Sequence, residues 1–293
     1  MLGMLTRVRE VFGRMREFAY GRPEPPPQLR IGLALGGGFA RGIAHVGVLR
    51  VLEQNNIPIH AIAGTSVGAL IAAAYACGSP LAAMEEQAKA TQFKDFARWT
   101  LSWLGLASNE RLEHYLHRFC AANRFEEMKT PLAIVATDLG TGEPVHFTSG
   151  PLGPPLRASC AYPGLFLPVE HEGRVLVDGF VAEPVPVDAV RALGANYIIA
   201  VYLEPAQPGG KPKNVADIVS RSFSILLKRT HHSWRRHADV VIEPRVSKFD
   251  WDSFVQTPEL IAAGEAAARA ALPKIREALA VSPGVPPLAR ADA

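Results

Sequence analysis

A chain of 293 residues, 48% apolar and 20% charged, has the balance of an ordinary globular protein and the length for one α/β domain of roughly 240–260 residues plus tails. A net charge of +3 is too mild for a nucleic-acid surface and compatible with a phospholipid one. The three cysteines, Cys77, Cys120 and Cys160, form no Cys-x-x-Cys pair and no zinc-type spacing, which fits a reducing compartment and argues against a disulfide framework.

Residues 1–20 carry a helical pattern, with Leu5, Val8, Phe12 and Met15 on one face and Arg7, Arg9, Arg14 and Arg16 supplying positive charge. The segment lacks the uninterrupted apolar core of a signal peptide, and nothing in the chain reads as a transmembrane span. It reads as a helix packed on the domain or on a partner chain; the sharper alternative is peripheral membrane contact through an interfacial anchor. A Pro-rich linker occupies 21–27. The expected organisation is therefore an N-terminal segment over 1–28, a domain over 29–280 and a flexible tail over 281–293.

The first strand, 31–35, leads into Gly36-Gly37-Gly38-Phe39-Ala40-Arg41-Gly42 and a helix over 43–54. Consecutive glycines after a strand expose backbone N–H groups and make an anion cradle, beside which Arg41 adds a fixed positive charge. The spacing fails the dinucleotide pattern, because Arg41 stands where its last glycine belongs, and no Gly-Lys-Ser/Thr end supplies a P-loop. An oxyanion hole fits the cradle better.

A short apolar strand over 59–63 then runs into Gly64-Thr65-Ser66-Val67-Gly68 and a helix of small residues over 67–77. This is Gly-x-Ser-x-Gly on a strand-to-helix turn, which presses the Ser66 hydroxyl outward at the positive end of a helix dipole. Gly64 and Gly68 allow the close backbone approach such a turn requires. The structural alternative is a plain tight turn. Further helices are expected over 81–90 and 109–120, and a strand over 132–137. Between them, Trp99 to Leu106 holds two tryptophans and three leucines and reads as core or cap packing, or else as the wall of an acyl pocket.

Val175-Leu176-Val177-Asp178-Gly179 is a strand ending in an acid, and Asp178 is the candidate general base, with an ordinary Asp-Gly turn as the bland alternative. A helix over 186–193 and a strand over 197–203 come next. A breaker-rich loop at Pro205, Pro208, Gly209, Gly210 and Pro212 precedes a helix over 215–230, a strand over 239–243 and a helix over 258–279. The basic run from Lys228 to Arg236 reads as a solvated helix face or a lipid-facing surface. Alternating strands and helices predict a mostly parallel sheet with helices on both faces.

In this order, the glycine loop ending in Arg41-Gly42, the Ser66 turn and Asp178-Gly179 resemble the patatin-like phospholipases. The segment Gly32 to Leu49 is similar to the bacterial branch, which itself resembles the esterase domain of neuropathy target esterase. The segment from Ser159 to Val169, with Pro163-Gly164-Leu165-Phe166-Leu167-Pro168, is similar to the family's Pro-Gly-x-Phe-x-Pro segment near the active site. Pro184 to Val187 and Ala195 to Val201 are similar to the family's segment after its aspartate. The likeness covers residues 31 to 246.

The resemblance implies a patatin-like three-layer α/β sandwich. It also implies a serine acyl hydrolase with a Ser-Asp dyad: Ser66 as nucleophile, Asp178 as base, and Gly36, Gly37, Gly38 and Val67 framing the oxyanion hole. Arg41, Gly64, Gly68 and Gly179 would support them. No cofactor and no metal are implied; the substrate would be a phospholipid or lysophospholipid, the setting cytoplasmic, at the inner membrane surface. The chain departs from the pattern at Phe39, where the branch often has glycine, at Phe180, where another glycine is common, and at Glu183, where asparagine is common. Three rivals are weighed. One is a Ser-His-Asp triad from Ser66, Asp138 or Asp178, and His231, His232 or His237. Another is a weakly catalytic lipid-binding protein on the same fold. The last is a nucleotide-binding protein using the glycine loop.

Overall fold

The computed structural model describes residues 28–118, 120–205, 210–212, 215–230, 232–250 and 254–281. Two compact units divide the chain, residues 30–275 and, separately, 1–29 with 276–293. The expected helix over 1–20, the linker over 21–27, His231, Pro208, Gly209 and the tail beyond Val281 lie outside the described residues. Among the described residues no helix is long and apolar enough to cross a membrane.

The strands are β1 (Ile31–Leu35), β2 (Ala61–Thr65), β3 (Arg98–Ser102), β4 (Gly105–Ser108), β5 (Leu132–Asp138), β6 (Pro144–Phe147), β7 (Val169–His171), β8 (Arg174–Asp178), β9 (Tyr197–Val201) and β10 (Val240–Ile242). The longer helices are α1 (Ala44–Gln54), α2 (Val67–Cys77), α3 (Leu81–Ala90), α4 (Arg111–Leu116), α5 (Gly153–Ser159), α6 (Val187–Ala192), α7 (Val215–Thr230) and α8 (Thr257–Val281). The main sheet runs β10-β9-β1-β2-β5-β8-β7, with β6 also on β5, and β3 and β4 form a separate ribbon. The first five strands of that order pair in parallel, and β8, β7 and β6 add antiparallel pairs. Helices pack around this sheet, as the sequence pattern expects of an α/β domain.

The central strands are apolar throughout because both of their faces are covered: β1 and β2 are buried at all five positions each. The expected strand over 59–63 lies two residues later. Its limits are set by pairing, from Gly32↔Ala61 with β1 to Thr65↔Val135 with β5. Gly64 and Thr65 therefore belong to the strand, and the turn falls at Ser66 itself. The helix expected over 109–120 shrinks to Arg111–Leu116. Helix α5 has no counterpart among the expected elements, since Gly153-Pro154-Pro155 reads as a breaker; the prolines occupy its first turn, where no intrahelical N–H is needed.

One feature of the sheet places the site. Strand β6 occupies one edge of β5 along Ile134 to Thr137. On the opposite edge, β2 arrives in parallel and ends with Thr65 against Val135, and β8 arrives antiparallel and ends with Asp178 against Ala136. The two strands thus meet end to end along one edge of β5, at consecutive residues of that strand.

Helix α8 crosses α1 at van der Waals contact of backbones. A methyl on Gly264 would overlap the Ala44 carbonyl oxygen, and one on Gly47 would overlap the Ile261 carbonyl oxygen. Gly264→Ala is expected to lower the unfolding free energy by about 1–3 kcal/mol through overpacking. A urea titration of the variant checks this, and an unchanged midpoint would mean that the helices separate freely.

Candidate active site

Ser66 sits between β2 and α2 with φ 57° and ψ −129°, a conformation a side chain adopts only under strain of about 1–3 kcal/mol. Its surroundings hold it there. A methyl on Gly68 would overlap the Leu35 carbonyl oxygen, and one on Gly64 would overlap the backbone of Gly68 and Ala69, so only glycine fits either place. The Ser66 backbone N–H donates to Ser159 Oγ at 2.9 Å, and Ser159 is wholly buried. In the sequence Ser159 stands out only as the start of a longer segment; its role as an anchor depends on α5 lying beside the turn.

The Ser66 hydroxyl donates to Asp178 Oδ2 at 2.7 Å. Asp178 is 1% exposed, and its other oxygen accepts from the Phe180 N–H at 3.0 Å. Its own backbone is fixed at both ends, the N–H donating to Ala161 O and the carbonyl accepting from Thr137 Oγ1, each at 3.0 Å. Burial pushes the Asp178 carboxyl up from 3.8 to about 7, against the opposing pull of the Phe180 N–H and the Ser66 hydroxyl. Gly179 is required because a methyl there would overlap the Val135 carbonyl oxygen.

Among the described residues no histidine reaches either group. His45 lies under the glycine loop, His171 faces Glu172, and exposed His237 faces Asp188. Asp138 Oδ1 caps its own turn at Gly140. His231, and the side chain of His232, lie outside the described atoms.

The glycine loop requires a correction. The sequence pattern expects Gly36, Gly37, Gly38 and Val67 to offer N–H groups together. The Gly36 N–H donates to Val201 O at 3.0 Å and the Gly37 N–H to Pro184 O at 3.2 Å, so both are engaged in holding the loop against β9 and the segment after Asp178. Gly37 still lies against Ser66, since a methyl there would come within 3.3 Å of Ser66 Cβ. Gly38 and Val67 have N–H groups that donate to no acceptor among the described residues. The loop is braced from beneath by His45 Nε2, which donates to Gly36 O at 2.8 Å. Burial drives His45 down to about 4, so its ring is neutral at ordinary pH. Arg41, also buried, donates to Glu204 O at 3.0 Å and to Gly38 O at 3.4 Å.

A cavity of about 90 Å³ opens on Ser66 and Asp178. Its wall on α2 is the stripe Val67, Leu70, Ile71 and Ala74; Met84, Gln87, Ala88 and Thr91 form another stripe along α3. Phe39, Phe96, Leu112 and Phe254 make much of the remainder apolar. None of the described side chains of Trp99 to Leu106 lines this wall. The segment forms the β3–β4 ribbon, with Trp103 and Leu104 fully or largely exposed at its tip, so both the core and the pocket reading of that segment are corrected.

A family model described as patatin-like phospholipase matches residues 33–191. The chain belongs to the patatin-like phospholipase family. It is thereby a lipid ester hydrolase. It is 30% identical over 271 residues to an uncharacterised NTE family protein of Mycobacterium tuberculosis, covering 88% of this chain and 74% of that one. It is 32% identical over 177 residues to the lysophospholipase nte1 of Aspergillus fumigatus, a match of 58% of this chain but 12% of that protein. Among solved structures, VipD of Legionella pneumophila aligns with a TM-score of 0.50 at 13% identity, over 86% of this chain and 67% of that one, a likeness of fold.

The three departures from the patatin-like pattern each have a structural account. Phe39 has φ 52°, the region that favours glycine, and its ring is held there by an edge contact with Phe96 at 6.1 Å and a tilted one with Phe254 at 6.3 Å. Phe180 stacks on Tyr162 at 5.0 Å and meets Phe223 edge-on at 5.3 Å, and its N–H donates to Asp178 Oδ1. Glu183 accepts from the Asp188 and Ala189 N–H groups at the start of α6 and pairs with His146 at 2.5 Å, which raises the His146 pKa. The basic run is partly neutralised: Lys228 pairs with Glu204 at 2.8 Å and Arg235 with Glu243, and Trp234 is buried against Tyr202.

Two expectations arise from this geometry. A carboxyl whose folded pKa lies above its unfolded value keeps its proton longer when folded, so Asp178 withdraws stability as pH rises from about 4 through 7. Asp178→Asn is therefore expected to melt higher than wild type at pH 8 and level with it at pH 4, which calorimetry at the two pH values checks. Ser159→Ala strands the Ser66 N–H and is expected to lower stability by about 1–3 kcal/mol and to lower kcat more than it changes KM. Urea unfolding with steady-state kinetics reads both.

Proposed function

We propose that the protein cleaves carboxylic esters of phospholipids or lysophospholipids through an acyl-enzyme on Ser66. The observation that carries this reading is the 2.7 Å hydrogen bond from the strained Ser66 hydroxyl to the buried Asp178 carboxylate, at the mouth of an apolar cavity. Asp178 Oδ2 takes the hydroxyl proton as Ser66 Oγ attacks the ester carbonyl carbon. The oxygen that gains charge accepts from the Gly38 and Val67 N–H groups, each such donor being worth about 2.7–4 kcal/mol. The alcohol leaves with the proton from Asp178. Water, deprotonated by the same carboxylate, then attacks the acyl carbon, and the acyl–Oγ bond breaks as Ser66 Oγ takes the proton back from Asp178.

The remaining loop residues act at one remove. His45 and Arg41 hold the Gly36 and Gly38 carbonyls, which fixes the course of the loop beside Ser66. The cavity of about 90 Å³, set against about 10–15 Å³ for each water-sized group, has room for about six to nine such groups. That suits one acyl chain rather than two and favours a substrate that presents a single chain, as a lysophospholipid does. Membrane contact through residues 1–20 rests on their sequence pattern alone.

Hydrolysis of p-nitrophenyl esters of graded chain length tests the reading. Ser66→Ala is expected to abolish turnover and labelling by an organophosphonate, and Asp178→Asn to lower kcat/KM by about 10³-fold or more. In wild type, kcat/KM is expected to rise with pH to a plateau, with a midpoint near 7 set by ionisation of Asp178. Turnover retained in Ser66→Ala would overturn the nucleophile. A protein that neither turns over nor takes the label would be a lipid-binding member of the family.

A further inference from the structure

The β3–β4 ribbon lines no part of the cavity, yet it carries a cluster of exposed apolar side chains. Trp103 is fully exposed at the turn, Leu104 is 71% exposed, and Trp99 and Leu106 are 66% and 48% exposed behind them. Single apolar residues are ordinary on a surface. Two tryptophans and two leucines between positions 99 and 106 make a patch, and a patch of this kind marks an interaction surface.

The ribbon is held firmly. The Leu106 and Ala107 N–H groups donate to Leu165 O at 3.0 and 2.8 Å, and the Leu167 N–H donates to Ala107 O at 3.0 Å. A methyl on Gly105 would overlap the Phe166 backbone, so the ribbon sits directly on that segment. The Ser102 hydroxyl closes the tip by accepting from the Leu104 N–H at 3.1 Å. This seat is also cavity wall. Phe166 lines the cavity and stacks on Phe93 at 6.2 Å; Phe93 meets Trp99 at 5.1 Å and Phe96, another lining residue, at 5.5 Å. Apolar contact therefore runs without a break from the ribbon to the cavity that opens on Ser66.

Basic groups gather at the foot of the ribbon. Arg98 begins β3, and Lys94 follows Phe93. Arg111 donates to the Lys94 carbonyl at 3.0 Å, which brings these two exposed residues side by side. The nearby acids are taken up, Asp95 by Arg118 at 3.1 Å and Glu110 by Arg98 at 3.6 Å. Lys94 and Arg111 form no ion pair among the described residues. At a rise of about 3.3 Å per residue the tip stands about 13 Å from Arg98. One headgroup layer of a bilayer is roughly 5–8 Å deep. A tryptophan and a leucine carried that far ahead of unpaired cations match the depth profile of an anionic lipid surface, where aromatic rings favour the interface and cations the phosphates.

We propose that the β3–β4 ribbon docks the protein on an anionic lipid surface. Trp103 and Leu104 enter the boundary between headgroups and acyl chains, while Lys94 and Arg111 meet phosphate groups at the foot. The inference rests on the lipid-ester reading of the Ser66 site and adds the surface through which that site reaches its substrate.

The test is flotation of the full chain with vesicles of phosphatidylcholine, alone and with phosphatidylglycerol added. Wild type is expected to float with the mixed vesicles, and its tryptophan emission to shift to the blue. Trp103→Ser with Leu104→Ser is expected to lower that binding by about tenfold or more, as two large apolar side chains return to water. Lys94→Gln is expected to lower it by about fivefold on mixed vesicles and to change nothing on phosphatidylcholine alone. Trp103→Phe is expected to keep binding and lose most of the emission shift. Turnover of a short soluble ester, which also reports that each variant is folded, is expected to stay at the wild-type rate, while hydrolysis of vesicle-borne lysophospholipid falls with binding. If wild type does not float, or the serine double variant floats as well as wild type, the docking inference is overturned and Ser66-dependent ester hydrolysis stands. A ribbon-dependent dimer on gel filtration without flotation would place a second copy on the ribbon and overturn it equally. If flotation depends on the ribbon but no ester is cleaved, the hydrolase reading fails and the docking surface stands.

Discussion

The site depends on one strand acting as a ruler. β5 pairs along a single edge with β2 as far as Thr65↔Val135 and with β8 from Asp178↔Ala136. Two chain segments that are 112 positions apart in sequence therefore end at adjacent rungs, and the 2.7 Å contact between Ser66 and Asp178 results from sheet hydrogen bonding rather than from loop flexibility. Because β8 runs against β2, both strands deliver their last side chain to the same point. A slip of one residue in either pairing would turn the serine or the aspartate to the other face of the sheet.

Burial then gives the contact its chemistry. An aspartate in water is a poor base for a hydroxyl. Enclosure by Phe180, Tyr162 and the sheet raises Asp178 to about 7, and the two hydrogen bonds it accepts do not offset that rise. Of those two hydrogen bonds, the one from the Phe180 N–H opposes the rise more than the one from the Ser66 hydroxyl. The same enclosure makes ionised Asp178 a burden on the fold. Strain at the Ser66 backbone adds to that burden, and the glycine contacts and Ser159 carry it.

The glycine loop shows how backbone hydrogen bonding separates residues that composition leaves alike. Three consecutive glycines look equivalent in sequence. In the fold the Gly36 N–H is tied to Val201 O and the Gly37 N–H to Pro184 O, so neither is free to meet a ligand. His45 and Arg41 brace the carbonyls of Gly36 and Gly38 in the same loop. The cavity obeys a similar logic: two helical stripes at i, i+3, i+4 and i+7 line it, mostly with apolar side chains.

Much of this is legible in the sequence. The strand–loop–helix order, the Ser66 turn, the acid ending β8 and the small residues of α2 are local patterns, because apolar runs, glycine steps and helical periodicity act between neighbours in the chain. The family likeness is likewise a matter of local motifs in a fixed order. The sequence does not hold anything fixed by pairing between distant segments. The true limits of β2, the engagement of Gly36 and Gly37, the anchoring of Ser66 by Ser159, the exposure of Trp103 and Leu104, and the ionisation of Asp178 are of this kind. Each depends on which groups a hydrogen bond or a buried surface brings together across the fold. A backbone N–H or a carboxyl carries no mark in its own neighbourhood of the partner, or the lack of water, that it will meet there.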